Sequence, residues 1–178
     1  MNSDDITGTV LVAIDGSHNS MLAAGVGARM ARLLKSHLGL VHVVDMLPAQ
    51  GFWGGVEAKM KSEIRDEAEQ RLKEIAEKMQ KECDVAVEFF LVEGLPEIEI
   101  QNVVENNPDI LMLICGRQGM AIEKHSHLRL GRSFGHVSNK LSEILKVPLL
   151  IIPPDLPISH ICPAMLNTQA QSTDESDI

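Results

Sequence analysis

Five short apolar runs, each stopped by a turn signal and separated from the next by a helical pattern, constrain most of what this chain can become. Thr9-Val-Leu-Val-Ala-Ile14 is continuously apolar, rich in β-branched residues, and halts at Asp15-Gly16-Ser17. A strand without polar alternation is buried on both faces, as strands of parallel sheets are. Leu38 to Val44, closed by Asp45, and Ile110 to Cys115, closed by Gly116, have the same character. Val85 to Val92 alternates, and Val147 to Ile152 supplies the fifth run.

The segments between them carry helical spacing. Ser17 or Asn19 can cap a helix in which Leu22, Val26, Met30 and Leu33 or Leu34 recur. Val56 to Cys83 reads as a long amphipathic helix with Met60, Ile64, Ala68, Leu72, Ile75 and Met79 as its stripe. Glu67–Arg71 and Glu69–Lys73 are i,i+4 pairs in the favourable order. Glu97 to Asn106 is a shorter helix, and Val137, Leu141, Ile144 and Leu145 mark the last one. Strands alternating with helices build βαβ units. The expected class is α/β, an open parallel sheet with helices on both faces.

Pro153-Pro154 breaks the pattern, and the polar, acidic stretch to Ile178 reads as a disordered tail. The expected organisation is an N-terminal extension (1–7), one domain (8–153) and that tail (154–178). The formal charge of −9 and an aromatic content of 3% argue against nucleic acid, which needs a basic face and stacking platforms. No apolar run approaches the roughly 18 to 20 residues that cross a bilayer, so no membrane association is expected. Cys83, Cys115 and Cys162 are widely spaced and form no CxxC. That usage suits a reducing cytoplasm and implies no disulfide framework or structural zinc.

Parallel sheets bind ligands beyond the carboxyl ends of their strands, where the strand order reverses. For an order of 3-2-1-4-5 that point lies between the first and fourth strands, where Asp15-Gly16-Ser17 meets Gly116-Arg-Gln-Gly119. A strand, a glycine-lined turn and a helix start bring backbone N–H groups up to a phosphate. Asp15 can accept hydrogen bonds from ribose hydroxyls, and Val43 offers an apolar wall for a base. No GxGxxG follows the first strand and no Walker A motif is present.

Taken in order, Val10-Leu-Val-Ala-Ile-Asp-Gly-Ser17 with Ser20, Leu40-Val-His-Val-Val-Asp45, Val92-Glu-Gly-Leu-Pro96, Ile114-Cys-Gly-Arg-Gln-Gly119 and Val137 to Ile152 resemble the universal stress protein family. The resemblance spans about residues 8 to 153. It implies the 3-2-1-4-5 sheet of the Rossmann-like adenine nucleotide alpha hydrolase group and a homodimer through the fifth strand. It also implies a stress-response role and adenine nucleotide, ATP (with Mg²⁺) or AMP, as the ligand. Asp15 and Val43 then hold the nucleoside, and Gly116, Gly119, Gly131 and Ser133 hold phosphates, aided by Arg117 and Arg132. Catalysis is not expected beyond slow ATP hydrolysis.

The family's glycine pattern, G-x2-G-x9-G-[S/T], is not met throughout. Eleven residues separate Gly119 from Gly131, and Arg132 precedes Ser133. Aligning on the last helix makes Gly135 the third glycine, with His136 at the hydroxyl position. Lys124, His125, His127, Arg129 and Arg132 make the stretched loop basic, which suits a phosphate. A member of the family that binds no nucleotide and acts as a dimeric interaction protein is the alternative. An enzyme built on Cys115 or the histidines is a third reading. His125 and His127 show no third metal ligand, so no metal site is assigned. Cys115 reads as a core residue and His42 as a satisfied interior histidine.

Overall fold

The computed structural model describes residues 8–44, 54–117 and 134–157. Along them run β1 (Thr9–Ala13), α1 (His18–Leu34), β2 (His37–Val44), α2 (Gly54–Cys83), β3 (Val87–Glu93), α3 (Pro96–Asn106), β4 (Ile110–Gly116), α4 (Phe134–Ile144) and β5 (Leu149–Ile152). The five strands form one sheet of order β3-β2-β1-β4-β5, and every pairing is parallel. The fold is the expected Rossmann-like one. Two strands begin later than the sequence pattern suggests. Pro148 has no N–H to give a ladder, and only its carbonyl takes part, accepting from the Leu113 amide at 2.9 Å. Asp84 adopts φ 50°, a left-handed turn that delays β3 to Val87.

Side-chain alternation sorts the strands onto two cores. Val10, Val12, Ile14, Leu38, Leu40 and Ile114 face α1 and α2. Leu11, Ala13, Val41, Leu113 and Cys115 face α3 and α4. Right-handed crossovers running outward in both directions from β1 require this division.

The expected stripe of α1 holds through the buried Leu22 and through Val26 and Met30, which pack on the core, and fails at its end, where Leu33 is 70% and Leu34 42% exposed. Ala23, Ala24, Gly27, Ala28 and Ala31 are buried beside it and make the closest contact with the sheet. A Cβ on Gly27 would fall 2.4 Å from Val12 Cγ2, so the small residues let the helix approach as closely as its backbone permits. Ser17 is the N-cap, its Oγ accepting from the Ser20 amide at 3.1 Å. Asn19 does other work: its Nδ2 donates to the Ile152 carbonyl at 3.1 Å.

The α2 stripe is real only in its second half. Leu72, Ala76, Met79 and Cys83 are buried, whereas Ile64 is 41% exposed. The exposed Glu67–Arg71 and Glu69–Lys73 pairs both close at 2.6 Å along the helix. On the opposite face Lys140 Nζ lies 2.9 Å from the buried Glu97 Oε1 and ties α4 to α3.

The cysteine reading needs correction. Cys83, at the end of α2, is disulfide-bonded, and Cys115 is free and buried. Widely spaced cysteines without a CxxC do not by themselves reveal which thiol is bonded. The tail from residue 158 onward and the extension 1–7 lie outside the described residues.

Candidate functional site

The strand order reverses between β1 and β4, as the ligand rule requires. Val12 sits opposite Ile114, so the two strands end side by side. Beyond β1 the chain turns at once. The Asp15 Oδ1 accepts from the Ser17 amide at 2.9 Å, Gly16 takes φ +82°, and Ser20 Oγ donates to the Ser17 carbonyl at 2.9 Å. The Asp15 amide donates to Ser20 Oγ at 3.4 Å. These bonds hold the half-buried Asp15 at the mouth of the sheet before any ligand arrives.

Gly116 ends β4 and is buried against the first turn of α1. A Cβ there would lie 3.0 Å from Asn19 Oδ1 and 3.2 Å from the Asn19 carbonyl carbon. A side chain there would press on Asn19, which would have to give by a few tenths of an ångström. The exposed Arg117 follows, its amide donating to the Ile152 carbonyl at 2.9 Å. On the other side of β1, Ala13 pairs with Val41, and the same register carried two residues further sets Val43 level with Asp15. Val43 is half-buried and packs on the α3/α4 core with Phe90 and Val92. Asp15, Val43, Gly116 and Arg117 thus stand on three adjacent strand ends. Gly119, Gly131, Arg132 and Ser133 lie outside the described residues, as do Lys124, His125, His127 and Arg129.

A second feature was not legible in the sequence. On the α2 side of the sheet a cavity of about 200 Å³ opens beside Asp15, lined by Ile14 and His42 from the strands and by Ile64, Arg71 and Ile75 from α2, among others. His42 Nδ1 is 2.7 Å from the Ile14 carbonyl oxygen. A carbonyl only accepts, so Nδ1 carries a hydrogen and donates it. The satisfied-histidine reading holds, and the position on a cavity wall is new. Its only sequence signal is parity: His42 falls on the same strand face as Leu38 and Leu40. The exposed half of α2 stands over this cavity.

Burial pushes the Cys115 thiol up to about 12, which removes it as a nucleophile near neutral pH. Among the described residues there is no group of three or more His, Cys, Asp or Glu able to hold a metal. The described residues offer a carboxylate that can accept from hydroxyl groups and an apolar strand end for a flat ring.

A family model described as the universal stress protein family matches residues 7–153. The chain belongs to the universal stress protein family. It is similar to Universal stress protein MJ0531 of Methanocaldococcus jannaschii, with 27% identity over 126 residues that make up 67% of this chain and 71% of that one. Among solved structures it resembles the universal stress protein UspA of Lactobacillus plantarum (TM-score 0.64, 16% identity, 83% of this chain and 99% of that one). It also resembles the universal stress protein of Archaeoglobus fulgidus in complex with dAMP (TM-score 0.60, 18% identity, 83% and 99%). At these identities the structures establish a shared fold. No helix of the described residues is long and apolar enough to cross a membrane.

Proposed function

We propose that this universal stress protein binds an adenine nucleotide, ATP or AMP, in the crevice between β1 and β4 and acts in the stress response through ligand-dependent interactions. The observation that carries this reading is the preformed carboxyl end of the sheet. Asp15 is held by the Ser17 amide, and Gly116 packs tightly against Asn19 at the end of β4. The A. fulgidus relative with this fold is in complex with dAMP, which supports the same class of ligand.

In this reading Asp15 accepts the ribose hydroxyls and Val43 packs on adenine. Gly116, Gly119, Gly131 and Ser133 present donors to the phosphates, with Arg117 and Arg132 adding charge. Mg²⁺ enters only with ATP. Turnover is slow at most, since the described residues offer no activated nucleophile. The protein acts in the cytoplasm as a homodimer paired along β5. That strand pairs with β4 on one side, and Leu150 and Ile151 are 40% and 37% exposed. Such an edge is a template for pairing with a second copy.

The test is equilibrium dialysis with ATP and AMP at millimolar concentration, with Mg²⁺ for ATP. Asp15→Ala should weaken binding about tenfold, the loss of one or two hydrogen bonds to a ligand. Absence of binding by the folded wild-type chain sinks the nucleotide reading. The stretched glycine spacing, eleven residues and then Gly131-Arg-Ser133, favours the alternative of a dimeric interaction protein without nucleotide. That alternative predicts a dimer by light scattering whose partners are indifferent to ATP.

A further inference from the structure

We infer that the cavity between α2 and the ends of β1 and β2 receives a flat, uncharged nitrogen heteroaromatic ring, and that His42 reads the polar edge of that ring. The inference rests on the nucleotide reading above for the source of the ring, its base, and on the packing of α2 for the place where it sits.

The cavity measures about 200 Å³ and lies beside Asp15 at the mouth of the sheet. That is the liquid volume of about seven waters at ~30 Å³ each, room for a fused ring system and too little for a whole nucleotide. The buried Ile14 and Leu72 line it, and Ile64, Ala68 and Ile75 of α2 complete an apolar wall. Apolar space of this size forfeits packing contacts when nothing fills it. Yet α2 does not settle into it. The helix is seated from Leu72 to Cys83, and ahead of the cavity Arg65 pairs with Glu93 at the end of β3. Held on both sides of the gap, it leaves Ile64 41% exposed, where a ring entering the cavity would cover it.

Charge decides which part of a ligand belongs there. Asp15 and Glu67 share the lining with Arg71, and Arg71 already meets Glu67 at 2.6 Å. Two carboxylates against one guanidinium leave the wall unfavourable to a phosphate or carboxylate and indifferent to a neutral ring. Apolar walls with a few placed polar groups are the usual make-up of a small-molecule site.

His42 supplies the polar contact. Its Nδ1 donates to the Ile14 carbonyl at 2.7 Å, which fixes the imidazole against β1. Among the described residues nothing bonds Nε2, so that nitrogen is left for a ligand. In a neutral imidazole Nε2 accepts, and the edge it selects carries a donor such as an exocyclic amino group. Alternation along β2 gives the base two contacts. Val43 packs toward the α3/α4 core and His42 lines the cavity, so a base lying across the end of β2 meets one on each side.

The full chain is dialysed against free adenine, AMP and IMP at about pH 8, where imidazoles are neutral as a rule. Adenine alone should bind, and wild type should prefer AMP to IMP, which carries a carbonyl in place of the amino group. Ala68→Phe puts one of the protein's own rings into the cavity. It should weaken adenine and AMP by about tenfold or more, with wild-type circular dichroism. His42→Phe keeps a ring and drops both nitrogens, and the preference for AMP over IMP should fall about three- to tenfold, the worth of one hydrogen bond. In nitrogen-15 spectra of wild type, adenine should move the His42 Nε2 resonance. AMP binding untouched by Ala68→Phe overturns the inference and leaves the nucleotide reading standing. Adenine bound with an unmoved Nε2 resonance and an unchanged AMP/IMP ratio in His42→Phe removes His42 as the reader. Adenine binding that Ala68→Phe abolishes, in a chain that takes no AMP, upholds the cavity and sinks the nucleotide reading. No binding of adenine or AMP by folded wild type overturns both.

Discussion

Two helices share one face of the sheet and use it in opposite ways. Helix α1 lies on β1 and β4 through alanines and Gly27, with its leucines Leu33 and Leu34 left toward solvent. Helix α2 carries the larger apolar side chains yet seats only its second half, from Leu72 to Cys83. The difference shows that hydrophobic size and closeness of packing are separate choices. Small residues bring a helix backbone down onto the strands and fix it rigidly. Larger ones hold a helix further off, and where the stripe runs out over the strand ends a cavity is left.

The largest test of that contrast is Gly27→Val. Its Cβ would meet Val12 Cγ2 at 2.4 Å, so something must shift and a loss of about 3 kcal/mol is expected in urea unfolding. A loss below about 1 kcal/mol would show that α1 can ride up on the sheet, and the contrast with α2 would fail. Next comes Met79→Ala, in the seated half of α2, expected to cost about 2–3 kcal/mol by leaving a cavity. Ile64→Ala, in the unseated half, should cost about 0.5 kcal/mol or less. Equal costs at the two positions would make α2 one uniform element.

A pH experiment sharpens the comparison from the other face, where Cys115 is sealed beneath α3 and α4. Its thiol is raised from 9.0 to about 12 by burial, so the folded state keeps a proton that the unfolded chain releases. Its stabilising effect is complete below pH 9 and is lost between 9 and about 12. Stability should fall there by up to about 1.4 kcal/mol per pH unit. Cys115→Ala should flatten that slope, and an unchanged slope would assign it to other groups. The smallest effect is expected at the rim of α2. Arg71→Ala breaks an exposed pair with Glu67 and should change stability by about 0.5 kcal/mol or less. Any larger loss would mean that Arg71 supports the cavity wall.

The strands were legible because unbroken β-branched runs such as Thr9–Ile14 have few other uses in a chain of this kind. The carboxyl-end site was legible at Asp15 and Gly116, since a strand that stops on Asp-Gly or on Gly announces where its end lies. The seat of α1 was legible only in part, at Leu22, Val26 and Met30. Periodicity weights Leu, Val and Met, whereas the contact here is made by Ala and Gly, which score weakly yet pack closest. His42 as a cavity wall was out of reach for a different reason. It depends on which face of the sheet α2 covers and on where along α2 the contact stops. The Glu97–Lys140 pair joins residues distant in sequence, and no local pattern encodes it.

One carbonyl oxygen, that of Ile152, accepts both the Asn19 side-chain amide and the Arg117 backbone amide. It is the last residue of the sheet's outermost strand, and its two donors belong to the elements that flank Asp15 and Gly116. A displacement of β5 must therefore either break both bonds or carry both donors with it. The outer rim of the sheet acts as a lever arm whose short end rests on the crevice.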